Sequence, residues 1–493
     1  MSKYKDRINI SSMIFGIIGF ILLLIFPVSE TNILASNMAA IAFLMAFWWM
    51  TEALPIAATS LVPLVLIPIL GIDSGKKIAS LYFNSIVFLF IGGFLIAIAM
   101  EKWELHKRIA LNLIYKIGNS PKSLILGFMI SSFLLSMFIS NTATTIMMLP
   151  IGLSIISKLE SDFDIKETKK FSIALMLGIA YAASIGGTAT LIGTAPNLAF
   201  KSIYEASFPD GGTISFSDWL IFALPIAILI LVIIKFILLD IFYKPSSKLK
   251  ISKQLIKNEL STLQKIKFEE KAVLIILAIT SILWIFRTDI DLSVIYIPGW
   301  SNLLPNPKLI DDGTVSICMA LLLFIIPTKS IRGKRLLSKS AFNKMPWGII
   351  VLFGGGFALA YGFESTGLSG LIGELFSGLK GVPPLLITLS ICLMMTFVTE
   401  LTSNTATTYT MLPIFAAISV SLDMDPLSIM IPATMTASFA FMLPVATPPN
   451  AIVFSSNKLK IKDMARVGLF LNIITVIMVT VYYSIFGELI WKH

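Results

Sequence analysis

Apolar residues run along this chain in blocks of about the length of a bilayer-spanning helix, parted by short polar stretches. They lie near 10–28, 35–53, 55–72, 85–101, 218–242, 347–363 and 467–490. Crossing roughly 30 Å of hydrocarbon takes about 20 helical residues. The period-two alternation of a membrane barrel is absent, so helices are the expected spanning element. Two longer apolar stretches, 123–160 and 384–420, each carry a polar phrase midway and predict helical hairpins. Two more, 171–201 with GGTATLIGTAPN and 427–456 with VATPPN, hold too much Gly, Thr and Pro for an unbroken helix. Both are expected to unwind in the middle, and the fold class is an all-α polytopic membrane protein.

The two polar phrases are nearly the same. ISNTATTIMMLPI at 139–151 and TSNTATTYTMLPI at 402–414 agree at ten of thirteen positions, with an offset of 403 − 140 = 263 residues. FIGGFLIA at 90–97 and FGGGFALA at 353–360 keep that offset, as do Pro121 and Pro384. A constant spacing over several elements is an internal repeat, and in an apolar chain it points to a transporter with its site at the repeat interface.

Composition agrees. Hydrophobic residues make up 56% and charged ones 13% of 493 residues, too little polar surface for a water-soluble globule of this size. The net charge of +10 is not a nucleic-acid footprint, because the basic residues sit in short stretches between apolar runs without aromatic interleaving. That is the positive-inside pattern of loops on the cytoplasmic face. Starting inside at Lys3, Lys5 and Arg7, the fourth run ends inside near His106, Lys107 and Arg108. The hairpin at 123–160 enters and leaves on that side, and the one at 384–420 does so externally, with His493 outside. Runs 85–101 and 347–363 then point in opposite directions, which makes the repeat an inverted one. The N-terminal run resembles a signal peptide, but no convincing cleavage site follows and it is read as the first span. Alternating apolar and Lys positions from Lys244 to Lys271 predict a helix on the membrane surface. Asp289, Asp291, Asp311 and Asp312 are assigned to an external loop, and His106 is read as a solvated cytoplasmic side chain. Cys318 and Cys392 are read as two buried thiols.

Four broken elements should converge near the midplane: the phrases at Ser140 and Ser403, and the breaks at Thr194-Ala195-Pro196-Asn197 and Thr447-Pro448-Pro449-Asn450. Non-helical backbone at membrane depth persists only inside protein or along a cavity. Its amides and hydroxyls can donate to a carboxylate or sulfate, and carbonyls at broken helix ends can hold a small hard cation. No Lys, Arg or His lies within these motifs. An anion there would be stabilised by helix N-termini and by cations bound beside it. Isolated Ser and Thr in membrane helices mostly pack helices together, but their duplication favours a site. Gly92-Gly93 and Gly354 to Gly356 are read as close helix contacts, and Glu52 and Glu400, near helix ends, as capping or solvated positions. With no His in the motifs to act as a base, no metal-ligand cluster and no organic cofactor expected, an enzyme is disfavoured. Two occluding hairpins disfavour an open channel.

SNTATT with MLPI twice, IGTAPN, ATPPNAIVF, and WWMTEALPIAATSLVPLVLIPILG at 48–71 together resemble the divalent anion:sodium symporter family, INDY-like carriers of dicarboxylates, citrate or sulfate (solute carrier family 13). The resemblance implies a homodimeric elevator with 11 transmembrane helices and two re-entrant hairpins. Residues 1–118 and 244–381 would form the scaffold, and 119–243 and 382–493 the transport domain. It implies a first sodium site on Ser136, Ser140, Asn141 and the carbonyl of Gly193, and a second on Thr399, Ser403, Asn404 and the carbonyl of Ala446. Substrate carboxylates would meet Asn141, Thr142, Asn404, Thr405 and Thr447, with Pro448 lining the pocket. Ser136 and Thr399, four residues before each SNT, favour Na⁺ symport over obligate exchange. Ala195 departs from the family, which often has a second proline there. The expected function is Na⁺-coupled symport of a C4 dicarboxylate such as succinate, malate or fumarate across the inner membrane. Sulfate or citrate carriage, or dicarboxylate exchange, on the same fold is the alternative.

Overall fold

The computed structural model describes residues 10–118, 120–246, 248–249, 253–291 and 296–491. Lys3, Lys5, Arg7 and His493, assigned to opposite faces, lie outside them, as does part of the Lys244–Lys271 stretch. The first half begins with α1 (Ile10–Ile25), α2 (Ile33–Thr51), α3 (Ile56–Thr59), α4 (Val62–Ile69), α5 (Gly75–Leu81), α6 (Ser85–Lys102) and α7 (Leu105–Ile117). A hairpin of α8 (Pro121–Ser136) and α9 (Asn141–Asp162) follows, then α10 (Ile165–Thr188), α11 (Ala195–Ser207) and α12 (Phe216–Phe236), which continues as a π-helical turn over Ile237–Phe242. After α13 (Lys253–Thr262), α14 (Phe268–Ile285), α15 (Asp312–Ile325) and α16 (Ser340–Asn343), the second half repeats the plan. It comprises α17 (Trp347–Ser365), α18 (Leu368–Phe376), the hairpin α19 (Pro384–Thr399) and α20 (Asn404–Ser421), α21 (Pro426–Ala437), α22 (Pro448–Phe454) and α23 (Ile461–Ile490). The strands among the described residues are one short antiparallel pair, Ile290–Asp291 with Tyr296–Ile297.

Among the described residues, seven helical stretches are long and apolar enough to cross a membrane. Local chemistry explains the boundaries. Both hairpins open on a proline at the first helical turn, where its missing N–H costs nothing, and Ser120 caps α8 with a capping box. Asn84 starts α6 by accepting from Ile86 N and Val87 N at 3.1 and 3.2 Å. The apolar window of α10 is buried along its whole length, making it the inner helix of the bundle. It packs against α8, α9, α12 and α22. Phe15 on α1, Val232 on α12 and Ile485 on α23 are exposed, as suits an outer surface whose solvent is hydrocarbon.

The repeat extends to helices whose sequences no longer show it. A Cβ on Gly92 of α6 would fall 2.5 Å from the carbonyl carbon of Ser316 on α15, and one on Gly355 of α17 would fall 2.6 Å from the carbonyl oxygen of Ser60. Gly92 and Gly355 are 263 residues apart and their partner serines 256, so the two backbone-to-backbone crossings are equivalent, Gly92 of the first half meeting α15 and Gly355 of the second half meeting Ser60 of the first. These glycines serve helix contact, as expected.

Four readings need correction. The run 55–72 is two short helices, α3 and α4, parted at Ser60 and Leu61 just ahead of Pro63; Pro55 precedes α3, and Pro68 lies within α4. Cys392 is buried, but Cys318 is exposed on the outer face of α15. Asp312 is not a loop charge. It is 2% exposed at the start of α15, pairs with Arg287 at 2.5 Å and accepts Phe216 N at 2.9 Å, so it ties α12, α14 and α15 together. His106 is half-buried on α7 with Nδ1 3.0 Å from the Met100 carbonyl. Burial pushes its imidazole below the usual value, against the opposing pull of that carbonyl and of Glu101 and Glu104.

Candidate functional site

The two hairpin tips and the two helix breaks meet around one cavity of about 890 Å³. Its walls include Ser140, Asn141, Thr142, Gly193, Ser403, Asn404, Thr405, Ala446, Thr447 and Pro448. Ser136 and Thr399 are outside that lining and are fully buried on the first legs of the hairpins. Met50, Thr51, Glu52, Phe90, Phe94 and Ile349 contribute from α2, α6 and α17. Among the described residues no Lys, Arg or His lines the cavity, and Glu52 is the one charged side chain there. Glu52 caps the end of α2 in a left-handed conformation and is exposed, which agrees with the capping or solvated reading.

On the first-repeat side the oxygens are packed closely. A Cβ on Gly193 would fall 2.5 Å from the Gly187 carbonyl oxygen and 2.9 Å from that of Ser136. A Cβ on Gly187 would fall 2.5 Å from Asn141 Oδ1. Only glycine lets these backbones and the Asn141 amide come so close. Ser136 Oγ and Asn141 Oδ1 are buried without a hydrogen-bond partner, a costly arrangement unless something electropositive meets them. Uncharged oxygens in such a cluster suit a hard cation such as Na⁺. Ser140 caps α9 by accepting from Ala143 N at 3.2 Å.

The second-repeat side uses the same parts with one change. Thr399 Oγ1 lies 2.7 Å from Asn404 Oδ1 and 2.9 Å from the Ala437 carbonyl, so hydroxyl, amide and broken-helix carbonyl form one cluster. Ser403 occupies the N-cap of α20 without a side-chain cap bond. Thr447 caps α22 by accepting from Asn450 N at 3.3 Å.

Two asparagines hold the breaks in matching fashion, a role the sequence did not assign. Asn197 Nδ2 donates to the carbonyls of Gly187 and Thr190, ten and seven residues earlier, at 3.2 and 2.7 Å. Asn450 Nδ2 donates to those of Ala440 and Leu443, again ten and seven residues earlier, at 2.9 and 3.1 Å. Both asparagines are fully buried. The clamp is alike in both halves although Ala195 stands where the second copy has a proline. The recurring Asn after each break was the available signal.

Glu400, expected to be capping or solvated, is the C-cap residue of α19 and is buried rather than solvated, at 2% exposure. Its carboxylate accepts from Met442 N and Leu443 N at 2.8 and 3.0 Å and from Asn472 Nδ2 at 2.7 Å, which pins the second break to α23. The repeat offset places Met137 opposite it, so the carboxylate belongs to one half only. The first break is held by neutral groups instead: Thr190 Oγ1 donates to the Met137 carbonyl at 2.5 Å and Trp219 Nε1 to the Thr188 carbonyl at 2.9 Å.

The arrangement can bind a small anion between two oxygen clusters. Helices α9, α11 and α20 all begin at the cavity, so their positive dipole ends lie against it.

The comparisons agree with this architecture. The sodium:sulfate symporter transmembrane region family matches residues 7–492. A sodium-dependent dicarboxylate transporter, SdcS, of Staphylococcus saprophyticus is 42% identical over 495 residues, covering 98% of this chain and 93% of that protein. SdcS of Staphylococcus aureus is 43% identical over 494 residues with the same coverage. The crystal structure of the Alcanivorax borkumensis YdaH transporter, described as having an unusual topology, superposes with a TM-score of 0.57 at 12% identity, over 97% of this chain and 98% of that one; this likeness concerns the fold alone. The chain is thus a multi-pass membrane transporter, not an enzyme, and it belongs to the sodium:sulfate symporter family, the divalent anion:sodium symporters.

Proposed function

We propose that this protein carries a C4 dicarboxylate such as succinate, malate or fumarate together with Na⁺, by an elevator motion within a homodimer. The observation that carries this reading is the cavity itself: two clusters of uncharged oxygens flank it, helix N-termini face it, and among the described residues no basic side chain enters it. A dianion there has no fixed positive charge to meet, so cations bound beside it must balance its charge. The 42 to 43% identity to proteins named sodium-dependent dicarboxylate transporters favours carboxylate over sulfate as cargo.

In this reading Ser136, Ser140, Asn141 and the Gly193 carbonyl hold one Na⁺, and Thr399, Ser403, Asn404 and the Ala446 carbonyl a second. Asn141, Thr142, Asn404, Thr405 and Thr447 meet the carboxylates beside Pro448. Residues 119–243 and 382–493 move as the transport domain against a scaffold of 1–118 and 244–381, which dimerises. The protein spans the inner membrane eleven times with the N-terminus cytoplasmic and the C-terminus external. On the topology that loop charge suggests, Glu52 and Ile349 lie toward the cytoplasm, and in this reading the cavity faces inward.

Uptake of labelled succinate into proteoliposomes tests the coupling. Uptake should require external Na⁺, and equal rates with K⁺ in its place would remove the symport. Asn141→Ala or Asn404→Ala should abolish uptake while leaving a folded dimer, because each amide serves a cation and the substrate together; transport at the parent rate by either would refute the site assignment.

A further inference from the structure

The two repeats are not in the same arrangement, and the difference is written in equivalent residues. Tyr409 of the second hairpin is fully buried on the scaffold helix α17: a Cβ added to Gly356 would fall within its ring. Phe353 and Trp49 flank that ring at centroid distances of 6.1 and 6.2 Å. Subtracting 263 from each position gives Ile146 on the first hairpin and Gly93 on α6. Ile146 is 56% exposed in the cavity wall. The space over Gly93 is filled instead by Ile192, at the ordinary contact distance of 3.4 Å.

The helices after these scaffold spans show the same inequality. On α18, the Gly373 carbonyl accepts from Ser421 Oγ of α20, the second leg of its hairpin, at 2.6 Å. On α7, the equivalent Ala110 carbonyl accepts from Ser131 Oγ of α8, the first leg, at 3.3 Å. One repeat therefore grips its hairpin by the second leg while the other grips it by the first.

We propose that Ile146–Gly93 and Tyr409–Gly356 are alternating seats: in the opposite-facing state Ile146 docks on Gly93 between Phe90 and its neighbours, and Tyr409 leaves Gly356. Inverted repeats supply the reason. If the two halves have the same pair of stable packings, the molecule reaches its other state when they exchange them. A glycine is needed at each seat because a side chain must press against bare backbone; over Gly93 that place is now held by Ile192, which withdraws when Ile146 docks. The proposal rests on the alternating-access part of the function above and on nothing about the substrate.

Paired cysteines test it, in a background carrying Cys318→Ser and Cys392→Ala. Gly356→Cys with Tyr409→Cys should form a disulfide that holds the present state, and Gly93→Cys with Ile146→Cys one that holds the other. Each should stop uptake until reduced. Failure of the second pair to close in protein that transports when reduced would overturn the seat exchange, as would closure without loss of uptake. Where the paired variants do not transport even when reduced, maleimide labelling of Ile146→Cys alone gives the answer. Gly93→Ala, which the present contacts tolerate, should block that seat and raise the labelled fraction; no change would overturn the proposal. Disulfides and labelling are read by gel and mass, so seat exchange in a protein that takes up no dicarboxylate would refute the substrate reading and keep this one.

Discussion

At the scale of single residues, the site depends on side chains that never touch the cavity. Asn450 holds the Ala440 and Leu443 carbonyls, and Glu400 holds the Met442 and Leu443 amides, so the second break is gripped through both kinds of backbone group. Asn450→Ala leaves two buried carbonyls short of a donor and should cost about 1–3 kcal/mol of stability, read as a lower melting temperature in detergent. Glu400→Gln keeps the shape but turns an amide N–H₂ toward one of the backbone donors. It should raise the Na⁺ concentration at half-maximal uptake with little change in succinate affinity at saturating Na⁺; an unchanged Na⁺ dependence would show that this break serves no cation. The SNT phrases and the TAPN and TPPN turns were legible in the sequence because polar groups in mid-membrane stand out. Glu400 was not, since a carboxylate beside a helix end looks the same whether water or backbone amides satisfy it, and its partners lie 42 to 72 residues away.

At the scale of elements, hairpins and breaks could be read because Gly, Pro and Thr punctuate otherwise apolar runs, and the hydrogen-bond pattern of each break follows from one Asn at a fixed spacing. The run 55–72 misled because its hydrophobicity is continuous while the helix breaks at Ser60 and Leu61, ahead of Pro63 in the first turn of α4. The repeat was legible where function requires like residues and faded where packing requires only like shapes, as at Ser60 and Ser316, which meet equivalent glycines in unrelated local sequences. Those crossings carry a stability prediction. Gly92→Ala or Gly355→Ala would drive a methyl group into backbone atoms and should destabilise the protein by about 1–3 kcal/mol, whereas Gly93→Ala, meeting only the Ile192 side chain at 3.4 to 3.8 Å, should fold at parent stability. Equal melting temperatures for Gly92→Ala and Gly93→Ala would mean that the α6–α15 crossing is loose.

At the scale of the whole molecule, a cavity without a basic side chain among the described residues sets the energetics of transport. A membrane potential of 100 mV, negative inside, opposes entry of each negative charge by about 2.3 kcal/mol. Fixed lysines or arginines would neutralise a dianion in the site but would travel back with the empty carrier, leaving that opposition in the net cycle. Travelling cations remove it: two Na⁺ cancel a dianion's charge, and a third turns the potential into a driving force. On the proposed reading the two oxygen clusters hold two of these ions, and the voltage response reports whether a third takes part. Proteoliposomes with fixed Na⁺ and succinate gradients and a K⁺ diffusion potential make the measurement. With two ions, succinate accumulation should not change with voltage; with three, 100 mV should raise the limiting gradient roughly fifty-fold, the equivalent of one net positive charge entering per cycle. Accumulation that falls as the interior becomes more negative would mean that fewer than two cations accompany the anion, and the oxygen clusters would then have another purpose.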